Sequence, residues 1–199
     1  GFVMGMCVGF SIPVAQRFGA EDYSGMRRFI ISGSIWAALL GGTLTLVTSV
    51  LCGTILHGLQ VPSDIFSMSY SYLLIIFLGI PFTIVYNYLS GILRSIGDSK
   101  TPFLFLAMSA IINIFLDFFC IMVLHMGTAG AALATIVSQA ISGICCLVLI
   151  IRKFDILHLR KEDRVFSWEL SRRLLVMGLP MGLQFSITAI GSMVMQSAN

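Results

Sequence analysis

Six long stretches of this chain carry no Asp, Glu, Lys or Arg: residues 1–16, 29–63, 65–93, 101–116, 118–151 and 174–199. A helix of about 20 apolar residues crosses about 30 Å of hydrocarbon, and there every backbone N–H and C=O has to be satisfied inside the segment. Composition agrees with that environment. Of the 199 residues, 57% are hydrophobic and 11% are charged, against about 25% charged in a soluble domain. So few charges cannot cover a soluble globule of this size. The same figures exclude a disordered chain, a collagen and a disulfide scaffold. The runs are too long for barrel strands and lack strict alternation. The expected fold is an all-α integral membrane protein, a bundle of transmembrane helices. Apolar sequence reaches both Gly1 and Asn199, as in a piece of a longer protein.

The expected spans are a partial one over 1–16, then 29–56, 66–92, 102–124, 128–151 and 174–199. Gly58 and Pro62 mark one turn, and His125-Met126-Gly127 another. The loops test this count. Arg17, Arg27 and Arg28 fall in 17–28, Arg94 and Lys100 in 94–101, and the other seven basic residues in 152–173. None lies in 57–65 or 125–128. All twelve basic residues therefore occupy alternate loops, and the positive-inside rule places 17–28, 94–101 and 152–173 in the cytoplasm. The net charge of +3 comes from short scattered clusters and points to no nucleic-acid partner. The partner it implies is the lipid bilayer. Segment 152–173 reads as an amphipathic linker, with Ser167 able to cap a following helix and Val165, Phe166 and Trp168 suited to the membrane interface.

Asp117 is the acid placed inside these apolar runs. At helix-centre depth it costs about 2.5–3.5 kcal/mol on insertion scales, so something has to offset it. Asn113 lies four residues earlier, on the same helix face. The next span returns antiparallel. Mirroring about residue 126 sets Thr135 level with Asp117 and Gln139 level with Asn113. Gly130, Ala131, Ala134, Ser138 and Ser142 let that span approach closely. Two readings stand: a proton or small-cation site, with hard oxygens of Asp117, Asn113 and Thr135 suited to Na+, or a permanently neutral Asp joining helices. Gln139 is a supporting polar group in either case.

Asn87 sits between Tyr86 and Tyr88, after Gly79-Ile80-Pro81, where proline kinks the helix and frees a carbonyl for gating or packing. Tyr70 and Tyr72 fit an interfacial aromatic belt. The last span carries Gln184, Ser186, Thr188, Ser192, Gln196 and Asn199, a water-lined face or a helix contact. Cys7, Cys52, Cys120, Cys145 and Cys146 lie in apolar stretches without metal spacing and read as small packers. The histidines sit in or beside loops. There is no GxSxG, HExxH, P-loop or Rossmann pattern, so no cofactor and no catalytic residue is expected. An intramembrane enzyme would need a second acid, a histidine or a metal set at membrane depth. The pair Gly5/Gly9 is a weak packing signal.

Several segments taken together carry a resemblance: Gln16-Arg17-Phe18-Gly19-Ala20-Glu21-Asp22, Gly91-Ile92-Leu93-Arg94-Ser95-Ile96-Gly97-Asp98-Ser99-Lys100-Thr101-Pro102, Asn113-Ile114-Phe115-Leu116-Asp117, Gly127-Thr128-Ala129-Gly130-Ala131-Ala132-Leu133-Ala134-Thr135 and Gly178-Leu179-Pro180. In this order they resemble the bacterial type of the MATE (multidrug and toxic compound extrusion) family, from about the second to the seventh of its twelve helices. The resemblance implies most of the N-lobe over 1–151, a linker over 152–173 and the first helix of the C-lobe over 174–199. It implies a multi-pass protein of the bacterial inner membrane, a secondary antiporter exporting drugs or organic cations in exchange for H+ or Na+. Asp117, Asn113 and Thr135 match the family's N-lobe cation-site positions, and Asn87 a polar position near them. An oligomer is not implied. The alternative within the superfamily is a lipid-linked oligosaccharide flippase, whose relatives more often carry cationic residues in the central cavity; these spans hold none.

Overall fold

The computed structural model describes residues 1–197, and its elements are helical. They are α1 (Phe2–Gly19), α2 (Tyr23–Val50), α3 (Cys52–Gly58), α4 (Phe66–Leu78), α5 (Ile80–Ser95), α6 (Lys100–Phe118), α7 (Gly127–Lys153) and α8 (Trp168–Ser197). A π turn, Phe119–Val123, closes α6, and two short 3-10 turns, Asp155–Leu157 and Lys161–Asp163, lie between α7 and α8. Five helices are long and apolar enough to cross a membrane; α4 and α5, bent by 41° at their junction, make a sixth crossing if counted as one span. Helices cover each expected span, but 66–92 is the bent pair α4 and α5, and 29–56 is interrupted between α2 and α3. Asn199 lies outside the described residues.

The turns before α2 and α6 have simple local causes. Asp22 caps α2 by accepting the Gly25 N–H at 2.9 Å, and it also takes Arg17 Nη1 at 2.7 Å. The Gly25 and Arg17 bonds hold its carboxyl below the usual range. Asp98 does the same for α6, accepting the Thr101 N–H at 3.0 Å and the Thr101 hydroxyl at 2.6 Å. Gly97 just before it has φ +87°, a left-handed conformation that favours glycine. The proline bend falls at Gly79. There the carbonyl of Phe77, four residues before Pro81, accepts a backbone N–H at the end of α4 rather than standing open.

The chain forms two compact units. The first comprises Gly1–Ala37, Asn87–Pro102 and Leu147–Asn199. Phe10, Val14, Met26, Phe29, Leu93 and Leu174 fill its core. Here α1 and α8 run in close contact: a Cβ added at Gly9 would lie 2.5 Å from Gly178 Cα, and one at Gly5 2.7 Å from Gly182 Cα. The Tyr88 hydroxyl donates to the Ile30 carbonyl at 2.8 Å, and Ser95 to the Ser11 carbonyl at 2.9 Å. The segment between α7 and α8 is not one amphipathic helix. Leu157 and Asp163 are buried, and Asp163 accepts Arg27 Nε at 2.5 Å and the Ser24 hydroxyl at 3.0 Å.

The second unit comprises Ala38–Tyr86 and Phe103–Cys146. Most of its buried positions are small, Cys52, Cys120, Ala132, Ala134, Ser138, Ser142 and Cys146 among them, with Leu56 and Ile84 the larger exceptions. Its largest apolar side chains point outward, with Phe115 71% exposed and Phe103 67% exposed. A soluble domain buries such residues; their exposure fits a membrane-spanning bundle. The five cysteines are free thiols and four are buried, as packers would be.

Candidate functional site

The site is built on the α6–α7 hairpin of the second unit. Asn113 and Asp117 stand one turn apart on α6, and Thr135 and Gln139 one turn apart on α7. Asn113 Nδ2 donates to Thr135 Oγ1 at 3.4 Å, the long end of hydrogen bonding. The Thr135 hydroxyl donates in turn to the Ala131 carbonyl at 3.0 Å. That orientation turns the Asn113 carbonyl oxygen away from Thr135 and leaves it available as an acceptor. Asp117 is half-buried, and its Oδ1 is buried with no hydrogen-bond partner among the described residues.

This geometry corrects the expected register. Mirroring about residue 126 opposes Thr135 to Asp117, but the structure opposes Thr135 to Asn113, whose midpoint is 124. A π turn over Phe119–Val123 lies between this site and the interhelical turn, where Leu124 N–H donates to the Phe119 carbonyl and Met126 N–H to the Cys120 carbonyl. A π turn holds more residues in a given axial length than an α turn. Gln139 is correspondingly not level with Asn113. It receives the Thr83 hydroxyl of α5 on Oε1 at 2.5 Å. Sequence reasoning missed Thr83; its only signal was its place four residues after Gly79 at the expected kink.

Asn87 belongs to the first unit, where it is half-buried and engaged in an interaction of its own. No three His, Cys, Asp or Glu side chains converge among the described residues. A cysteine pair tests the register. In a cysteine-free full-length background, positions 113 and 135 crosslink with a short reagent and 117 and 135 do not. Stronger crosslinking of 117 with 135 than of 113 with 135 would return the hairpin to the mirror about residue 126.

Comparison with known proteins follows the same lines. The chain is 32% identical over 98% of its length to a probable multidrug resistance protein, YpnP, of Bacillus subtilis, covering 44% of that protein. It is 26% identical over 87% of its length to the multidrug export protein MepA of Staphylococcus aureus, covering 38% of it. An inward-facing multidrug resistance MATE family transporter of the MOP superfamily superposes with a TM-score of 0.86 at 26% identity, over 92% of this chain and 42% of that one. The chain thus spans less than half the length of the relatives it matches. The MatE family model matches residues 1–119, which takes in α1 to α5 and the Asn113 and Asp117 face of α6, and the chain belongs to the MatE family.

Proposed function

We propose that this chain forms most of the N-lobe, and the first helix of the C-lobe, of a secondary antiporter that exports drugs or organic cations in exchange for H+ or Na+. The observation that carries this reading is Asp117. A buried carboxylate oxygen without a partner is costly, and more so in an apolar span. One turn away Asn113 offers a carbonyl oxygen and Thr135 a hydroxyl oxygen. A proton or a Na+ ion supplies the missing partner, and its arrival or departure changes the local charge by one unit. The full transporter couples that change to the relative stability of its inward- and outward-open states. The names of the relatives, multidrug resistance and multidrug export, support the class of cargo.

Asp117→Asn keeps size and hydrogen bonding and removes the charge. In the full-length protein it inserts normally, and gradient-driven efflux from proteoliposomes falls by about tenfold or more. Efflux is measured with Na+ and pH varied separately, which identifies the coupling ion. Wild-type rates with unchanged cation dependence would return Asp117 to a role as interhelical glue.

The orientation belongs to the same reading. The protein lies in the bacterial inner membrane with loops 17–28, 94–101 and 152–173 in the cytoplasm, because those loops hold every Lys and Arg. Single cysteines at positions 58 and 126 react with an impermeant thiol reagent in intact cells, and those at 100 and 161 do not. Labelling at 161 without leakage would invert the topology.

A further inference from the structure

Three helices of the second unit contribute polar side chains in a continuous order. From Asp117 on α6 one turn leads to Asn113, which bonds across to Thr135 on α7. One turn along α7 leads to Gln139, which accepts the Thr83 hydroxyl of α5 at 2.5 Å. Thr83 lies where α5 has just been redirected by the 41° bend at Gly79. That start of α5 is seated hard on α7: a Cβ at Gly79 would run into the Ile136 side chain, on the turn between Thr135 and Gln139. Thr83 and Gln139 therefore join the bent element to the same turn of α7 that carries Thr135.

We propose that Thr83 and Gln139 are positioning residues of the cation site: their hydrogen bond holds Thr135 in register with Asn113 and couples the charge at Asp117 to the bent start of α5. This rests on the reading of Asp117 as the coupling carboxylate. Side chains of Thr83 and Gln139 touch no ion themselves. They act through the α7 backbone between residues 135 and 139, and an element bent at Gly79 and Pro81 has a hinge at which two arrangements can be biased. Plain interhelical glue uses the same bond but predicts a different result. Glue changes stability and leaves cation dependence alone, whereas a positioning pair changes the cation dependence.

The test uses the full-length protein in proteoliposomes, with initial efflux measured against Na+ at fixed pH and against pH at fixed Na+. Thr83→Val keeps the shape and removes the hydroxyl; Thr83→Ser keeps the hydroxyl; Gln139→Met removes the bond from the other side. Thr83→Val and Gln139→Met each shift the half-saturating concentration of the coupling cation by about fivefold, the low end of allosteric coupling, and Thr83→Ser restores it. If either removing variant fails to accumulate, the other reads the same quantity. A cation dependence identical to wild type in the removing variants, even with reduced thermal stability, overturns the proposal and leaves the Asp117 reading standing. Asp117→Asn is run beside them. If that variant keeps cation-dependent efflux, the coupling reading itself falls, and this inference with it.

Discussion

Asp163→Asn costs the full-length protein about 3–5 kcal/mol of stability, the usual penalty for stranding one partner of a buried ion pair. The pair joins the start of α2 to the segment between α7 and α8. Arg27 is 8% exposed and Asp163 2% exposed, with Arg27 Nε 2.5 Å from Asp163 Oδ2. The Ser24 hydroxyl donates to the other carboxylate oxygen at 3.0 Å, and Arg27 Nη1 lies 3.5 Å from the Ile156 carbonyl. Asparagine fills the space but leaves the guanidinium buried without a counter-charge. Replacing both partners, Arg27→Met with Asp163→Leu, recovers most of the loss, because paired charges in a dry site gain little over apolar packing. Asp22→Asn is the contrast. Arg17 and Asp22 are each 38% exposed in their side chains, so water screens the pair and its loss costs about 0–1 kcal/mol. Asparagine also caps α2 as well as aspartate does.

The pH dependence has a definite sign. The Arg27 hydrogen bond holds the Asp163 carboxyl below its ordinary value of 3.8. A depressed carboxyl contributes stability above its unfolded-state value and loses it as pH falls through the folded value. Asp163 therefore contributes fully and evenly from about pH 5 to 8, and its contribution fades only in stronger acid. Thermal unfolding of detergent-solubilised protein checks this. The gap between wild type and Asp163→Asn is constant at neutral pH and narrows in acid. A gap that closes on raising the pH would mean that the ion pair is not what holds this segment.

Gly9→Val, the second large effect, separates α1 from α8. The two helices meet backbone to backbone, with the Gly5/Gly9 pair against the Gly178/Gly182 pair. A Cβ at Gly9 meets the Gly178 Cα, which no side-chain rotation can move aside. Overpacking in a packed interior costs about 1–3 kcal/mol, and a contact that displaces a whole helix falls at or beyond the upper end. Small residues at such crossings permit the close van der Waals packing that associates helices in lipid. Gly42→Ala on α2 is the control, since a Cβ there meets nothing within 4 Å. In a helix that change is neutral or stabilising by up to about 1 kcal/mol. Monodispersity and thermal midpoint of the full-length variants in detergent decide the matter. A Gly9→Val protein as stable as Gly42→Ala would show that α1 and α8 do not rely on this seam.

Features that depend on solvent alone were legible one residue at a time. The charge-free runs located each span, because a side chain's preference for lipid or water is decided without reference to partners. The helix period placed Asn113 and Asp117 on one face, and the apolar surroundings of Asp117 marked it as a residue with a cost to explain.

Pairings between distant residues were decided by packing. Asn113 faces Thr135, in place of Asp117, in a hairpin whose first arm ends in a π turn at Phe119–Val123 that no apolar pattern announces. Thr83 reached Gln139 only once the bend at Gly79 had turned α5 onto α7. Gly5 and Gly9 gained meaning from the glycines of α8 across the seam. Arg27 and Asp163 are 136 residues apart in sequence, and folding buried them against one another. Burial and charge pairing are properties of a completed three-dimensional neighbourhood, and a one-dimensional pattern reports only the solvent a residue prefers.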